Sequence, residues 1–154
     1  KMLENETRDT LKLQRDLLPD EDEDPLLPPL ENNIKCGNSL IASDFSMIPE
    51  DLVRVRAFDW PVGFPAIIKA GGFDAVIGNP PYIRIQRIAE DESAYLFLTY
   101  QTPTSKMDLS LIFLEKGLKL VKRAGRVSFI CTSQWLAAEY GKNLRHPLSD
   151  GRLH

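Results

Sequence analysis

The segment 78–82, Gly-Asn-Pro-Pro-Tyr, imposes the strongest local constraint on this chain of 154 residues. Its two prolines remove two backbone donors, and each restricts the residue before it to extended geometry. The segment follows the apolar run 73–77, which is typical of a buried strand, and a simple turn there would more naturally use Asn-Gly or Asp-Gly. The pattern predicts a strand whose end holds the polar atoms of Asn79 and Pro80 rigidly.

Alternating helix and strand patterns around this segment predict an α/β fold. Strands are expected at 33–37, 73–78 and 126–131, and the last is apolar enough to be buried on both faces. Helices are expected at 64–72, closed by glycines, at 107–125, capped by Gly125, and at 134–145, capped by Thr132 or Ser133. This order predicts a partial doubly wound parallel sheet in which the strands 73–78 and 126–131 are neighbours.

Residues 1–31 differ in composition from the rest of the chain. They carry 4 basic and 10 acidic side chains, whereas residues 32–154 carry 15 basic and 12 acidic ones. Leucines at helical spacing predict a helix over 2–18, and five acids between prolines predict a solvated linker after it. We therefore expect 1–31 to form an N-terminal helix and an acidic, proline-rich linker, followed by a separate domain at 32–154.

The composition excludes several classes of protein. No apolar run approaches the roughly 18 residues that a membrane span needs, and no secretory signal pattern opens the chain. Cys36 and Cys131 have neither CxxC spacing nor a neighbouring histidine, so we predict two buried, reduced thiols and no metal site. The sequence thus predicts a cytoplasmic protein without a membrane partner.

The Asn-Pro-Pro-Tyr segment suits the methylation of a weakly nucleophilic amine. The lone pair of a purine exocyclic amine is delocalised into the ring, and two acceptors on its hydrogens favour a pyramidal nitrogen that can attack. The Asn79 side-chain carbonyl and the Pro80 backbone carbonyl can supply these acceptors, while Pro81 fixes the direction of the second. Tyr82 offers a face on which a base can stack, worth about 1–3 kcal/mol. The alternative is an ordinary Asn-Pro turn followed by a core aromatic residue.

With these motifs, the chain resembles the adenine-N6 DNA methyltransferases of restriction–modification systems, especially the Type IIG-like branch in which methylase and endonuclease share one polypeptide. The resemblance covers Asn32 to Leu148. It rests on the stretches NNIKCGNSLIASDF, FDWPVGFPAIIKAGGFDAVIGNPPYIR and KMDLSLIFLEKGLKLVKRAGRVSFICTSQWLAAEYGKNLR, in that order. It implies the Rossmann-like fold of S-adenosylmethionine-dependent methyltransferases, that cofactor, and double-stranded DNA with a flipped adenine as the substrate. Endonuclease and target-recognition regions of the same chain are the further partners that it implies.

The resemblance also implies roles for individual residues. Asn79, Pro80, Pro81 and Tyr82 match the catalytic motif of the family. Asn38 matches the residue whose side chain reaches the adenine of the cofactor, a position at which many relatives carry aspartate. Three further positions match recurrent family residues, and we interpret them as helix-capping or packing residues: Asp108, Trp135 and Tyr140.

Parts of the family pattern are not found in residues 1–154. The missing parts are the glycine-rich cofactor loop, the acidic residue that binds the cofactor ribose, and a target-recognition domain. Residues 32–154 therefore correspond to part of a catalytic domain. We expect these 154 residues alone neither to bind the cofactor tightly nor to methylate a substrate. The predicted strand 33–37 would then either lack a partner or pair with 73–78.

Two other functions are compatible with the sequence. Protein-glutamine methyltransferases use the same Asn-Pro-Pro-Tyr motif, because a side-chain amide is an equally weak nucleophile. An inactive remnant that keeps the methyltransferase fold would also retain these stretches. Transfer of a labelled methyl group separates the three functions.

Overall fold

The computed structural model describes residue 30 and the ranges 32–104 and 107–149, with the backbone alone at 140 and 146–149. The chain divides into two compact units, Lys1–Lys35 and Cys36–His154. The helix predicted over 2–18 lies outside the described residues, as does all of the predicted linker except Leu30, so the proposed domain boundary stays a prediction. The helices are α1 Pro49–Val55, α2 Trp60–Gly63, α3 Pro65–Lys69, α4 Glu90–Thr99, α5 Ser110–Leu120 and α6 Lys142–Ser149, and the strands are β1 Phe73–Gly78 and β2 Val121–Phe129.

Strands β1 and β2 form a parallel pair connected through α5, which confirms that they are neighbours. Val76 pairs with Val127 and Gly78 with Phe129, and the N–H of Ile130 extends the ladder by donating to the Gly78 carbonyl at 3.0 Å. Within the predicted strand 126–131, half-buried and exposed residues alternate, and Ile77 of β1 is 80% exposed, so the expectations of burial on both faces of the former strand and of a buried β1 were wrong. The mixed α/β class fits a methyltransferase fold, while the larger doubly wound sheet stays a prediction.

The boundary between α5 and β2 differs from the sequence expectation. The predicted helix 107–125 ends at Leu120, and Gly125 lies inside β2 instead of capping the helix. The pairs Phe73–Val121 and Ala75–Arg126 leave four residues of β2, 122–125, opposite the single residue Asp74 of β1. These four residues form a bulge in which Ala124 has a φ of +67°. Pairing of Val121 with Phe73 therefore ends the helix early, because its extended backbone is needed for the ladder.

Two glycines lead from α3 into β1, as the sequence predicts. Gly71 and Gly72 have φ values of +100° and +116°, which L side chains rarely adopt. A Cβ atom at Gly72 would also press against the Leu120 carbonyl oxygen. The glycine turn thus lets the start of β1 approach the end of α5.

The predicted helix 134–145 is also divided differently. Two short 3-10 helices, Ser133–Leu136 and Glu139–Gly141, precede α6, and no side-chain cap bond is present at Thr132. The Arg145 guanidinium donates to the carbonyl oxygens of Trp135 and Ala138, the latter at 2.7 Å. These bonds engage carbonyls that a continuous helix would use for its own hydrogen bonds.

The predicted strand 33–37 is not formed. The N–H groups of Asn33 and Ile34 donate to the Leu30 carbonyl in a turn, each at 2.8 Å, and the backbone contact of the region is a single parallel bridge between Asn38 and Ala57. Of the two outcomes expected for this segment, the structure shows the one without pairing to β1. Cys36 is exposed, which corrects the expectation of a buried thiol there, and Cys131 is half-buried.

The core of the Cys36–His154 unit lies around α4, α5 and the segments beside them. Its fully buried members include Ile41, Ile85, Leu96, Met107 and Ile112. The buried carboxylate of Glu115 on α5 accepts hydrogen bonds from the backbone N–H groups of Gln101 and Thr102 at 2.9–3.0 Å. These bonds attach the loop after α4 to α5. Helix α5 in turn contacts both strands, and it thereby links the core to the sheet.

Candidate functional site

The Asn-Pro-Pro-Tyr segment begins where β1 ends, as predicted. Pro80 is buried, Asn79 and Pro81 are exposed, and Tyr82 is 50% exposed. No backbone N–H of the described residues donates to the Pro80 carbonyl. Both acceptors proposed from the sequence therefore lie at the carboxyl end of a parallel strand, the usual ligand position in such sheets.

Hydrogen bonds fix the Tyr82 end of this segment. The Tyr82 hydroxyl donates to the Ile130 carbonyl at 2.8 Å and lies 3.3 Å from Asn79 Oδ1. Beyond the tyrosine, the Ile83 carbonyl accepts from the Leu109 N–H at 2.8 Å, and the Ile85 N–H donates to Met107 at 3.1 Å. Because a hydroxyl has one proton and Ile130 is its nearer acceptor, Asn79 Oδ1 keeps acceptor capacity for another group.

A cavity of about 220 Å³ adjoins the segment. Its wall is largely apolar and includes three aromatic rings, Trp60, Phe113 and Phe129, together with Asn79 and Pro80. The Trp60 indole N–H donates to the Ser39 carbonyl at 3.1 Å, which holds the residue after Asn38 against this wall. An apolar cavity with a few polar groups at its edge suits a flat aromatic ligand.

The predicted cofactor residue Asn38 lies next to the cavity wall. Its Oδ1 accepts the Leu40 N–H at 3.0 Å, and its own N–H donates to Arg56 at 2.7 Å. Ser39 is a lining residue, whereas Asn38 is not among the described lining residues. The structure thus brings Asn79, Pro80 and Pro81 to the cavity, and the contact of Asn38 with a cofactor stays a prediction.

Lys116 is a cavity residue that the sequence analysis missed. Burial lowers the pKa of its ammonium group, and the nearby Lys119 lowers it further, against the opposing effects of Asp44 and Asp59. The available signal was a stripe on α5 at helical spacing, formed by Phe113, Lys116, Gly117 and Leu120. Trp60 and Phe129 gave no comparable signal, because only the tertiary fold brings them to the same cavity.

Two of the family positions interpreted as structural can be located. The Asp108 carboxylate accepts the N–H of Ser110, the first residue of α5, at 3.0 Å, although the N-cap position itself is Leu109. Trp135 packs against the hydrophobic core as a partly buried side chain. The side chain of Tyr140 lies outside the described residues.

Neither a metal site nor a membrane span is found in the described part of the chain. In the ranges 32–104 and 107–149, no group of three His, Cys, Asp or Glu side chains is arranged to hold a metal ion. None of the described helices is long and apolar enough to cross a bilayer.

The fold and the site together define an α/β protein with a cavity at the carboxyl ends of two parallel strands. Comparison with protein families supplies the identification. The model of the Eco57I restriction-modification methylase family matches residues 6–153. The chain belongs to this family, as the resemblance indicated.

Individual relatives agree with this assignment. The Type II restriction enzyme and methyltransferase RM.Eco57I of Escherichia coli is 28% identical over 155 residues, covering 99% of this chain and 14% of the relative. The Type II methyltransferase M.BstVI of Geobacillus stearothermophilus is 33% identical over 120 residues, 78% of this chain and 19% of the relative. M.PaeR7I of Pseudomonas aeruginosa, another Type II methyltransferase, is 36% identical over 84 residues, 54% of this chain and 14% of the relative. The chain thus spans a small part of the length of these relatives, and no solved structure matches it.

Proposed function

We propose that this chain forms part of a site-specific DNA adenine-N6 methyltransferase of a restriction–modification system. The observation that carries the proposal is the position of Asn79 and Pro80 in the wall of an aromatic-lined cavity at the end of β1. Family membership supports methyl-transfer chemistry. The names of relatives that combine a restriction enzyme with a methyltransferase support an endonuclease region in the same protein.

The cavity fits the adenosine part of S-adenosylmethionine by its chemistry. Trp60 and Phe113 offer aromatic surfaces for a purine ring. Asn38 precedes the lining residue Ser39, and one lone pair of its Oδ1 accepts the Leu40 N–H, so we assign the second lone pair to an amino group of that ring. When bound, S-adenosylmethionine supplies an electrophilic methyl group on a sulfonium. The residues of this chain would hold the cofactor and orient the acceptor amine.

Asn79 and Pro80 act on the amine without changing their own charge. Each accepts one hydrogen of the exocyclic amino group, which concentrates the lone pair on nitrogen in the direction of attack. Pro81 restricts the Pro80 backbone to extended geometry, so its carbonyl has little freedom to turn away. This is preorganised electrostatic catalysis, in which the acceptors are in position before the reaction begins.

The remaining steps need the rest of the enzyme. An adenine in a duplex must leave the base stack before Tyr82 can contact it, and we assign recognition of the DNA sequence to a target-recognition region. We place the reaction in the cytoplasm, where both DNA and the cofactor are present.

The proposed function is tested by identifying the methylated product. The full-length enzyme is incubated with radiolabelled S-adenosylmethionine and either genomic DNA without modification or a protein extract. We expect label in DNA, recovered as N6-methyladenine. Label on glutamine would identify a protein methyltransferase, and transfer to neither substrate would identify an inactive remnant; either result overturns the proposal.

Tyr82 is expected to contribute to binding of the flipped base. Tyr82→Ala should weaken that state by about 1–3 kcal/mol through loss of stacking, whereas Tyr82→Phe keeps the ring and should have a mild effect. Fluorescence of 2-aminopurine at the target position measures flipping. If the Ala variant gives the same signal as the wild type, Tyr82 serves only to hold the turn through Ile130.

A further inference from the structure

Two arginines follow the catalytic segment on a rigid turn. Arg84 has extended backbone angles (φ −68°, ψ 139°), and it precedes the 3-10 helix Ile85–Arg87. The Arg87 N–H donates to the Arg84 carbonyl at 2.9 Å. This bond from residue i+3 to residue i closes a turn, which keeps the Cα atoms of the two arginines within about 7 Å of each other.

The backbone that carries these arginines is held in place from within the core. Ile85 is only 1% exposed, whereas Arg84 and Arg87 are both exposed. Leu109 and Met107 bond the backbone on either side of Arg84. Arg84 lies two residues beyond Tyr82, at most about 7 Å along the backbone.

Both guanidinium groups are exposed and available. In the described ranges, no hydrogen bond or ion pair joins either side chain to another residue. Asp108 faces Arg84 across an antiparallel bridge, yet its carboxylate is bonded to Ser110 and forms no ion pair with Arg84. Glu90, at the start of α4, likewise forms no ion pair with Arg87. Two exposed guanidinium groups without partners, carried on a fixed backbone, are suited to phosphate, which they can bind through paired donors.

We propose that Arg84 and Arg87 bind backbone phosphates of the DNA strand next to the flipped adenine. This inference rests on the proposed function, because it assigns the strand that enters the site. The two contacts would hold the target nucleotide's flanking backbone while its base lies against Tyr82. They carry no sequence information, and they therefore position the strand rather than select it.

The test measures the salt dependence of DNA binding by the full-length enzyme. Arg84→Gln and Arg87→Gln are combined and compared with Arg123→Gln, an exposed residue of β2 without an ion pair, near the opposite end of the sheet. The slope of log K against log salt is negative, and each lost phosphate contact makes it less negative by about 0.9. We expect the slope of the double variant to be less negative than that of the wild type by about 1.8, and the slope of the Arg123 variant to match that of the wild type.

A second measurement locates the contact. The phosphates beside the methylated adenine are replaced by neutral methylphosphonates, which should weaken wild-type binding and leave the double variant unchanged. An unaltered salt slope, or equal losses in both proteins, would overturn the inference. A lowered unfolding free energy of Arg84→Gln with an unaltered slope would assign Arg84 to pairing with Asp108 instead. If the wild-type enzyme binds DNA but does not methylate adenine, the proposed function is wrong. The salt slopes of the variants would still test phosphate binding by the two arginines.

Discussion

Asn79→Ala should lower the rate of methyl transfer by about 10²–10³-fold, or about 2.7–4 kcal/mol of barrier, by analogy with the loss of one oxyanion-hole donor. The substitution removes one of the two acceptors for the amine hydrogens. It should hardly change folding, because Asn79 is exposed and Tyr82 retains its shorter bond to Ile130. Initial rates of label transfer to adenine-containing duplex DNA measure the effect.

Two controls make this result specific to the acceptor. Asn79→Asp keeps an acceptor oxygen and should retain more activity than the alanine variant. Thermal unfolding and DNA binding of Asn79→Ala should match those of the wild type. Equal rates for Asn79→Ala and the wild type would show that the side chain takes no part in activating the amine.

Glu115→Ala should lower the free energy of unfolding by about 3–5 kcal/mol, because it leaves buried donors without an acceptor. The carboxylate is 2% exposed and forms an ion pair with Lys119 at 2.7 Å. It also accepts the hydroxyl of Thr102 at 2.8 Å, in addition to the two backbone N–H groups of the loop after α4. Urea denaturation of both proteins at neutral pH measures the difference.

The pH dependence gives this prediction a second measurement. Burial raises the pKa of Glu115, but bonds from Lys119, Gln101 and Thr102 outweigh burial and bring it below the usual value. Its contribution to stability is therefore complete above the unfolded pKa of about 4.5 and is lost as the pH falls through the lower folded pKa. Glu115→Gln should flatten the wild-type loss of stability in that acidic range.

A surface glutamate provides the matched control for Glu115. Glu139 is 90% exposed and lies 3.7 Å from Lys142, so Glu139→Ala should change stability by less than about 1 kcal/mol. If Glu115→Ala were equally mild, the loop after α4 would be held by its apolar contacts instead of by this carboxylate.

Local sequence signals predicted β1 and its ends, while tertiary contacts accompany the altered bounds of α5 and of the divided helix near the C-terminus. The glycines before Phe73 and the prolines after Asn79 mark both ends of β1 in the sequence itself. The end of α5 depends on pairing with β1, and the divided helix near the C-terminus depends on Arg145 reaching back to Trp135. Neither contact can be inferred from the residues beside it.

The candidate site divides in the same way. The Asn-Pro-Pro-Tyr motif is contiguous, so its position at the end of β1 followed from the sequence. The cavity wall is assembled from Ser39, Trp60, Phe113 and Phe129, which are far apart in the chain. Residues such as Lys116 become candidates only when the packing of α5 against the sheet is known.

The bond between the Tyr82 hydroxyl and the Ile130 carbonyl affects the entropy of substrate capture. A half-exposed tyrosine on a loop would otherwise sample several rotamers, and a base arriving at the site would have to immobilise it. Because the hydroxyl is fixed by the Ile130 carbonyl, that loss of freedom occurs once, when the protein folds. More of the stacking free energy is then available to hold the extruded base against its return to the duplex.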